Sequence, residues 1–564
     1  MPKIKSKRIK EDFSNEIYAY ALANALEYRE AIVNAVLPKL FRHGLNKERI
    51  RSVIPVVEEI VKLVNSMSDD ERKKKFEDFQ KYLEVSDEKG VNKGLPELKN
   101  FKGRPVFRIA PFPSGALHIG NMKTYLLNAL YAEKYKGKIL LVIDDTIGSE
   151  DKGIILEAYS LIPEAFDFLK VKYKKPIIYK SDRLKIYYKY AEQIINKGKA
   201  YVCTCDKETV RNNRIKGIAC SCRNFKASEQ MSRWKKMFSM KEGEAVLRIK
   251  TDIKHKNPAF RDRVLFRISD REHVRVGKKY KVWPMLEFSW AVDDHLLKIT
   301  HVIRGKELMI EGEMQKYIWD VFKWKGPELI YTGLIKLEGI GGKLSKSKSQ
   351  KEVYSGKFLG WDDPRTWSVQ SLARRGILPE SLREFVEKIG INQNEITIPV
   401  EDLYAINRRK IDKISDRFFF VENPVKISID KKFPKSIKVK IHPEKNTKKT
   451  IMLGNELYIT KKDFVDFKGK EVRLMHLFNV YLDNESKFVS NENKPDIKKI
   501  HWVSNKNIKI KILMPSGVWI NGLAEENIKK LKVGNMIQFE RFGFVRYDGR
   551  NRFTGEQEFW YAHD

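Results

Sequence analysis

Residues 105–146 read "PVFRIAPFPSGALHIGNMKTYLLNALYAEKYKGKILLVIDDT" and contain two apolar runs separated by a turn-rich loop and an amphipathic stretch. The pattern predicts a strand at 105–110, a loop at 111–119, a helix that ends near Gly137, and a second buried strand. This order is typical of a parallel, doubly wound α/β sheet, in which ligands bind at the carboxyl ends of the strands. We therefore expect a Rossmann-like domain whose site lies beside the 111–121 loop.

The residues of this loop suit a phosphate group. Ser114 and Gly115 allow a tight turn close to a ligand, and a helix that begins near Gly120 directs free backbone N–H groups outward. His118 adds a side-chain donor, and no Walker pattern of the P-loop type is present here. A single histidine at a helix start is more often a capping or packing residue, so this hypothesis depends on a second signal.

Length and charge indicate the class of partner. The chain has 564 residues, which predicts several domains. It carries 110 Lys and Arg against 74 Asp and Glu, a formal net charge of +36. This balance favours a long polyanion such as nucleic acid; a heat-tolerant charged surface, the alternative, would carry both signs in near balance.

Apolar runs in the sequence are short. None approaches the roughly 18 residues of a transmembrane helix, and the basic start "MPKIKSKRIKEDF" is not followed by the apolar segment of a secretory signal. We therefore expect a cytoplasmic protein with no membrane contact.

A second candidate site lies more than two hundred residues after the first. The segment 341–350, "GGKLSKSKSQ", carries Lys343 and Lys346 among serines and follows the apolar run "ELIYTGLIKLEG". By itself such a segment is usually a mobile basic loop. Together, the two segments favour a shared anion site.

The pair resembles the two signatures of class I aminoacyl-tRNA synthetases, His-Ile-Gly-His and Lys-Met-Ser-Lys-Ser. They are written here as "HIGN" at 118–121 and "KLSKS" at 343–347, so Asn121 stands in place of His and Leu344 in place of Met. The segments "RIAPFPSGALHIGN", "WAVDDHLLKITHVIRGKEL" and "LYAINRRKIDKISDRFFFV" are more narrowly similar to glutamyl-tRNA synthetases of the archaeal and eukaryotic type.

The resemblance implies a set of site residues and ligands. ATP is the expected nucleotide, with Mg²⁺, and glutamate the expected amino acid. The catalytic candidates are His118 and Lys346, and the ATP-binding candidates are Ser114, Gly115, His118, Gly120, Asn121, Lys343 and Lys346. The glutamate-binding candidates are Arg108, Ala110, Asp144, Leu286, Trp290 and Arg304, where Leu286 stands at a position that is usually Tyr in the family.

All four cysteines of the chain lie close together in sequence. They form two Cys-x-Cys pairs, and their numbers are Cys203, Cys205, Cys220 and Cys222. Four thiolates at this spacing predict a closed, structural Zn²⁺ site; four reduced cysteines without a metal are the alternative.

Changes of pattern along the chain divide it into six predicted regions of a multidomain α/β protein, and the tRNA-binding roles given to two of them are what the resemblance implies. They are an N-terminal helical domain (1–98), the first half of the Rossmann-like catalytic domain (99–195), an inserted tRNA acceptor-binding domain with the Cys cluster (196–282), the second half of the catalytic domain with the KLSKS loop (283–348), a helical connecting domain (349–417) and β-barrel anticodon-binding domains (418–564).

The predicted function is a glutamate–tRNA ligase that acts as a monomer on tRNA(Glu), with tRNA(Gln) as a further candidate substrate. A glutaminyl-tRNA synthetase, which shares the signatures and the barrels, is the first alternative. A tRNA-binding paralogue without catalytic activity is the second.

Overall fold

The computed structural model describes residues 13–43, 45, 49–83, 95–99, 103–147, 153–340, 346–454 and 456–564. The chain divides into two compact units, residues 1–93 and 94–564. Within these described segments, no helix combines the length and the apolar character that a membrane span needs.

The first unit is helical. Its α-helices are α1 (Ser14–Tyr28), α2 (Val33–Val36), α3 (Ile50–Asn65) and α4 (Asp69–Phe79). Apolar residues at helical spacing, such as Ile17 and Ala21 in α1 and Val57 and Val64 in α3, are buried in one common core.

The second unit begins with nine strands and the helices between them. The strands are β1 (Val106–Ile109), β2 (Lys138–Ile143), β3 (Lys174–Tyr179), β4 (Ala200–Cys203), β5 (Val246–Ile249), β6 (Val264–Ile268), β7 (Val282–Pro284), β8 (His301–Gly305) and β9 (Glu328–Thr332). The helices are α5 (Ile119–Lys134), α6 (Ala158–Phe168), α7 (Leu184–Asn196), α8 (Lys207–Lys216), α9 (Ala227–Met237), α10 (Leu286–Leu296) and α11 (Met309–Phe322).

Five of these strands form a parallel sheet in the order β3-β2-β1-β8-β9. The chain leaves β1 toward β2 on one side and returns through β8 on the other, so the strand order reverses between β1 and β8. In open α/β sheets such a reversal creates a crevice at the carboxyl ends of the strands. The Rossmann-like fold predicted from residues 105–146 is confirmed, and the 111–121 loop lies at this crevice.

The remaining four strands, β4 to β7, form a separate antiparallel sheet. In the sequence this sheet is inserted between β3 and β8 of the parallel sheet. Its apolar face packs in one core with α7, α10 and α11. The insertion is therefore anchored directly to the helices that flank the crevice.

Helices and one strand pair connect this region to the C-terminal part. The strands β10 (Ile335–Glu338) and β11 (Ile396–Pro399) pair in parallel. The helices are α12 (Lys346–Tyr354), α13 (Val369–Arg375), α14 (Pro379–Ile389) and α15 (Val400–Ile411).

The C-terminal part is almost entirely β-structure, with one helix, α16 (Lys461–Phe467). Its strands are β12 (Asp416–Phe418), β13 (Phe420–Glu422), β14 (Pro424–Ile429), β15 (Ser436–Lys440), β16 (Lys448–Met452), β17 (Leu457–Thr460), β18 (Glu471–Leu474), β19 (Asn479–Tyr481), β20 (Glu485–Ser490), β21 (Lys498–Ile500), β22 (Val503–Ser504), β23 (Asn507–Leu513), β24 (Trp519–Glu525), β25 (Met536–Phe539), β26 (Gly543–Arg550) and β27 (Gln557–His563).

Fourteen of these strands form two seven-stranded sheets that bend into barrels, and β15 and β16 form a separate antiparallel pair. In the sheet β12-β25-β26-β27-β23-β24-β13, the two edge strands are separated in sequence by Phe419 alone. In the sheet β21-β18-β19-β20-β14-β17-β22, only His501 and Trp502 separate the edges. Because consecutive Cα atoms are 3.8 Å apart, the two edge strands of each sheet meet end to end along the chain, so each sheet curves back on itself as in a barrel.

The two barrels are nested in the sequence rather than consecutive. The barrel of residues 424–504 is inserted between β13 and β23 of the other barrel, whose first strands lie at 416–422. The sequence pattern predicted β-barrels in this part of the chain but did not predict that one is inserted into the other.

Candidate active site

His118 is the N-cap residue of α5 at the carboxyl end of β1. Its backbone is extended, and its Nδ1 accepts a hydrogen bond from the Gly120 N–H at 3.1 Å. Since Nδ1 is an acceptor, the proton of the neutral ring belongs on Nε2, which becomes a donor. A Cβ at Gly120 would lie 3.0 Å from His118 Cε1, so glycine lets the imidazole fold over the helix start.

The first N–H groups of α5 all have acceptors within the protein. The Ile119 N–H donates to the Trp367 carbonyl at 3.1 Å, and those of Asn121 and Met122 donate to the His118 carbonyl at 2.9 and 3.1 Å. The expectation that these groups are free to meet an anion is therefore wrong for this structure. Anion binding falls instead to the side chains around the loop.

The 111–121 loop is held against the connecting region by an aromatic contact at Gly115. This residue has a φ of +137°, in the range that favours glycine. A Cβ there would lie 2.3 Å from Cη2 of Trp361. The neighbouring Ser114 N–H donates to the Phe112 carbonyl at 2.9 Å, which closes the turn.

The second lysine motif is only partly described. Lys343 lies outside the described residues. Lys346 is the first residue of α12, and its side chain lies outside the described part as well.

Arg108, on β1, is buried and already holds a carboxylate. Its Nε and Nη2 donate to the two oxygens of Asp294 on α10, at 2.5 and 3.3 Å. Its guanidinium also lies 4.7 Å from the Trp290 ring centroid. The Arg108 guanidinium, which the sequence analysis assigned to a substrate, is thus already paired with a carboxylate of the protein.

Arg304, on β8, is equally buried but has neutral partners. Its Nη1 donates to Oε1 of Gln315 at 2.6 Å and its Nη2 to the Tyr331 hydroxyl at 3.3 Å. Burial, reinforced by the nearby Arg108 charge, lowers its pKa. This guanidinium is a cation without an ion-pairing carboxylate among the described residues.

Asp144 follows β2 and pairs with a residue that sequence analysis missed. Lys180, completely buried at the end of β3, lies 3.0 Å from the Asp144 carboxylate and donates to the Ser289 hydroxyl at 2.8 Å. Burial lowers the Lys180 pKa, and Asp144 opposes that change. The available signal was a lysine directly after an apolar strand, at the edge where site residues collect.

Arg108 and Arg304 line a pocket of about 110 Å³ at the crevice, whereas Asp144 and Lys180 are not part of its lining. Its lining includes the predicted residues Arg108, Ala110, Gly120, Asn121, Trp290 and Arg304. Leu286, the first residue of α10, is not in the described lining, so the hydroxyl absent at this position is not missing from the pocket wall.

Three polar atoms of the lining are buried without a hydrogen-bond partner. They are Nε of Arg304, Nε1 of Trp290 and Oδ1 of Asn121. A polar ligand in the pocket would satisfy these two donors and one acceptor.

The four cysteines form one cluster in the insertion. Their Sγ atoms all lie within 4.8 Å of one another, and those of Cys203 and Cys220 are 3.7 Å apart. A tetrahedral ion with Zn–S bonds of about 2.3 Å needs sulfurs about 3.8 Å apart. The donor set and its spacing therefore fit Zn²⁺.

A family model described as the catalytic domain of class I tRNA synthetases (E and Q) matches residues 106–413, the part that carries this pocket. The chain belongs to this synthetase family. Two models described as anti-codon binding domains of the same synthetases match residues 415–502 and 499–548, which include most of the barrel strands but not β27.

The synthetase is also similar to individual proteins over nearly its whole length. It is 40% identical to a glutamate–tRNA ligase of Methanocaldococcus jannaschii, over 95% of this chain and 98% of that protein. It is 41% identical to a glutamate–tRNA ligase of Pyrococcus furiosus, over 94% of this chain and 96% of that protein. Identity to a third, from Methanobrevibacter smithii, is 37% over 98% of this chain and 100% of that protein.

Proposed function

We propose that this synthetase is a glutamate–tRNA ligase. The observation that carries the proposal is the identity of about 40% to glutamate–tRNA ligases along almost the entire chain. In the proposed reaction, a glutamate carboxylate oxygen attacks the α-phosphorus of ATP, the bond to pyrophosphate breaks, and glutamyl-adenylate forms. A hydroxyl of the 3′-terminal adenosine of tRNA(Glu) then attacks the glutamyl carbonyl, and AMP leaves.

We assign the glutamate site to the pocket between β1, β8 and α10. Arg304 suits the side-chain carboxylate because its charge has no ion-pair partner among the described residues and its Nε is unmatched. Asp144 is the candidate for the α-ammonium group. Since Lys180 already contacts Asp144, the ammonium would share this carboxylate with a buried lysine. Arg108 and Trp290 complete the wall.

We assign ATP to the loop beside this pocket. Ser114, Gly115 and Gly120 shape the loop, and the His118 imidazole at the start of α5 is the candidate for contact with a phosphate oxygen. Lys343 and Lys346 are the further candidates for the phosphates. Mg²⁺ accompanies ATP as a counter-ion and neutralises phosphate charge. With the helix N–H groups engaged, we expect side chains to provide most of the stabilisation of the developing negative charge.

The barrels and the basic surface suit a tRNA partner. A net charge of +36 attracts a polyanion at long range, and strong salt dependence of binding is expected. We propose tRNA(Glu) as the substrate and the Cys cluster as a structural Zn²⁺ site. Charging of tRNA(Gln), the monomeric state and a cytoplasmic location stay predictions.

Charging assays test the proposal. Purified full-length protein is incubated with ATP, Mg²⁺ and either tRNA(Glu) or tRNA(Gln), and radiolabelled glutamate and glutamine are compared in separate reactions. We expect glutamate to be attached to tRNA(Glu). Charging with glutamine alone would identify a glutaminyl-tRNA synthetase, and tRNA binding without charging by either amino acid would identify a non-catalytic paralogue.

A further inference from the structure

The two arginines of the pocket are joined by a continuous hydrogen-bonded chain. Asp294 accepts from Arg108 and, through Oδ2, from Nε2 of Gln315 at 3.1 Å. The opposite end of the same amide, Oε1, accepts from Arg304 at 2.6 Å. Gln315 is completely buried on α11, so neither contact competes with water.

The packing of α11 makes this link close and rigid. Gly312 lies one turn before Gln315, and a Cβ on it would be 1.9 Å from the Tyr331 hydroxyl and 2.5 Å from Arg304 Nη2. The helix backbone therefore presses against the guanidinium. Gln315 and Tyr331 then fix the in-plane orientation of Arg304 from two sides.

The chemistry of residue 315 matters as much as its position. The amide must donate to the Asp294 carboxylate and accept from the Arg304 guanidinium, and only a group with both functions can do so. The amide is also neutral. Arg304 is thereby oriented without losing its charge, whereas the neighbouring cations Arg108 and Lys180 are each paired with a carboxylate.

We propose that Gln315 is a positioning residue that sets the preference for an acidic over an amide side chain in the amino acid. It holds Arg304 in the orientation that presents Nε to the pocket and leaves the positive charge available for a substrate carboxylate. This inference rests on the proposed glutamate–tRNA ligase function. Gln315 does not itself line the described pocket and acts through Arg304.

The test compares full-length variants in ATP–pyrophosphate exchange with tRNA present. Gln315→Met keeps a similar length and removes both hydrogen bonds. Because hydrogen bonds to charged groups are strong, we expect the KM for glutamate to rise about tenfold or more. The glutamate-to-glutamine ratio of kcat/KM should fall by a similar factor, while the KM for ATP stays within about twofold.

Two further variants make the result decisive. Lys316→Met changes the next, exposed residue of α11 and should leave all constants unchanged. Tyr331→Phe removes only the second contact of Arg304, and it should raise the KM for glutamate about threefold without affecting ATP. Circular dichroism and thermal unfolding establish that each variant is folded.

The outcomes separate this inference from the proposed function. If the unmodified protein does not charge tRNA with glutamate, the proposed function fails. If it does, a folded Gln315→Met protein that keeps its glutamate preference, or loses glutamate and ATP affinity equally, overturns the role of Gln315. Should Gln315→Met not fold, an unchanged KM for glutamate in Tyr331→Phe overturns the role instead.

Discussion

The contact between Gly115 and Trp361 gives the sharpest prediction about the nucleotide loop. In Gly115→Ala the new Cβ would lie 2.3, 2.7 and 3.0 Å from three atoms of the indole ring, well inside contact distance. The indole cannot withdraw with its backbone, because the Trp361 carbonyl accepts from the Ser368 hydroxyl at 2.6 Å and from the Thr366 hydroxyl at 3.0 Å. Either the indole must turn out of its packed position about its side-chain bonds, or the loop must move.

The loss of folding stability expected in Gly115→Ala has two parts that can be measured separately. A non-glycine residue at a φ of +137° costs about 1–3 kcal/mol, and overpacking costs typically about 1–3 kcal/mol more. Gly549→Ala is a closer control for the first part, since Gly549 has a similar φ (+123°) and a Cβ there would make only an ordinary contact, 3.6 Å from Val533 Cγ2. We expect Gly115→Ala to be clearly less stable than this control.

The assay is a double-mutant cycle. Gly115→Ala, Trp361→Ala and the double variant are compared by denaturant unfolding and by the KM for ATP in pyrophosphate exchange. Removing the indole relieves the overlap but not the backbone strain, so the double variant should be about 1–3 kcal/mol more stable than additivity predicts. The KM for ATP should rise in Gly115→Ala and partly recover in the double variant. Additive effects, or an unchanged KM for ATP in Gly115→Ala, would refute the reasoning.

Two further predictions concern regions outside the pocket. The purified protein should contain one zinc ion per chain by mass spectrometry. The Cys222→Ser variant should lose the zinc ion, and its insertion should become sensitive to protease. A purified protein without metal whose insertion resists protease would contradict the zinc prediction. Burial, together with the adjacent Arg541, lowers the pKa of His501 to about 4. The folded pKa lies below the unfolded value of about 6.5, so the unfolded chain takes up the proton first, and stability falls by up to about 3 kcal/mol as pH drops from 6.5 to 4. In His501→Gln this acid-dependent loss should shrink by that amount in urea unfolding; an unchanged pH slope would show that His501 does not contribute it.

Local patterns along the chain predicted the main elements well. The apolar runs and turn residues of 105–146 correspond to β1, the loop, α5 and β2. The positive φ at Gly115 and the close approach at Gly120 explain why glycines occur there. Such features depend on neighbours within a few residues, and this is the range over which periodicity and turn chemistry operate.

The pairing of the site residues depends on partners far away in sequence. Asp294 meets Arg108 across 186 residues, and the helix start at Ile119 meets a carbonyl at Trp367. No pattern near Arg108 indicates that its fork is already engaged, so sequence analysis assigned it to substrate. The nested barrels are missed for the same reason, because β12 and β13 precede the strands they pair with by more than a hundred residues.

The charge of the whole chain and the charge of the pocket serve different purposes. An excess of 36 positive charges acts over the Debye length and favours any long polyanion, so it cannot distinguish one small amino acid from another. Inside the crevice the cations are instead paired individually: Arg108 with Asp294, and Lys180 with Asp144. Arg304 is then the cation of the pocket lining without an ion-pair partner among the described residues, and the Glu307 carboxylate lies in the same lining. In such a buried site a carboxylate and its neutral amide differ most in energy. On the proposed assignment, selectivity for an acidic side chain depends on Arg304 staying without an ion-pair partner, and not on how many cations lie near the crevice.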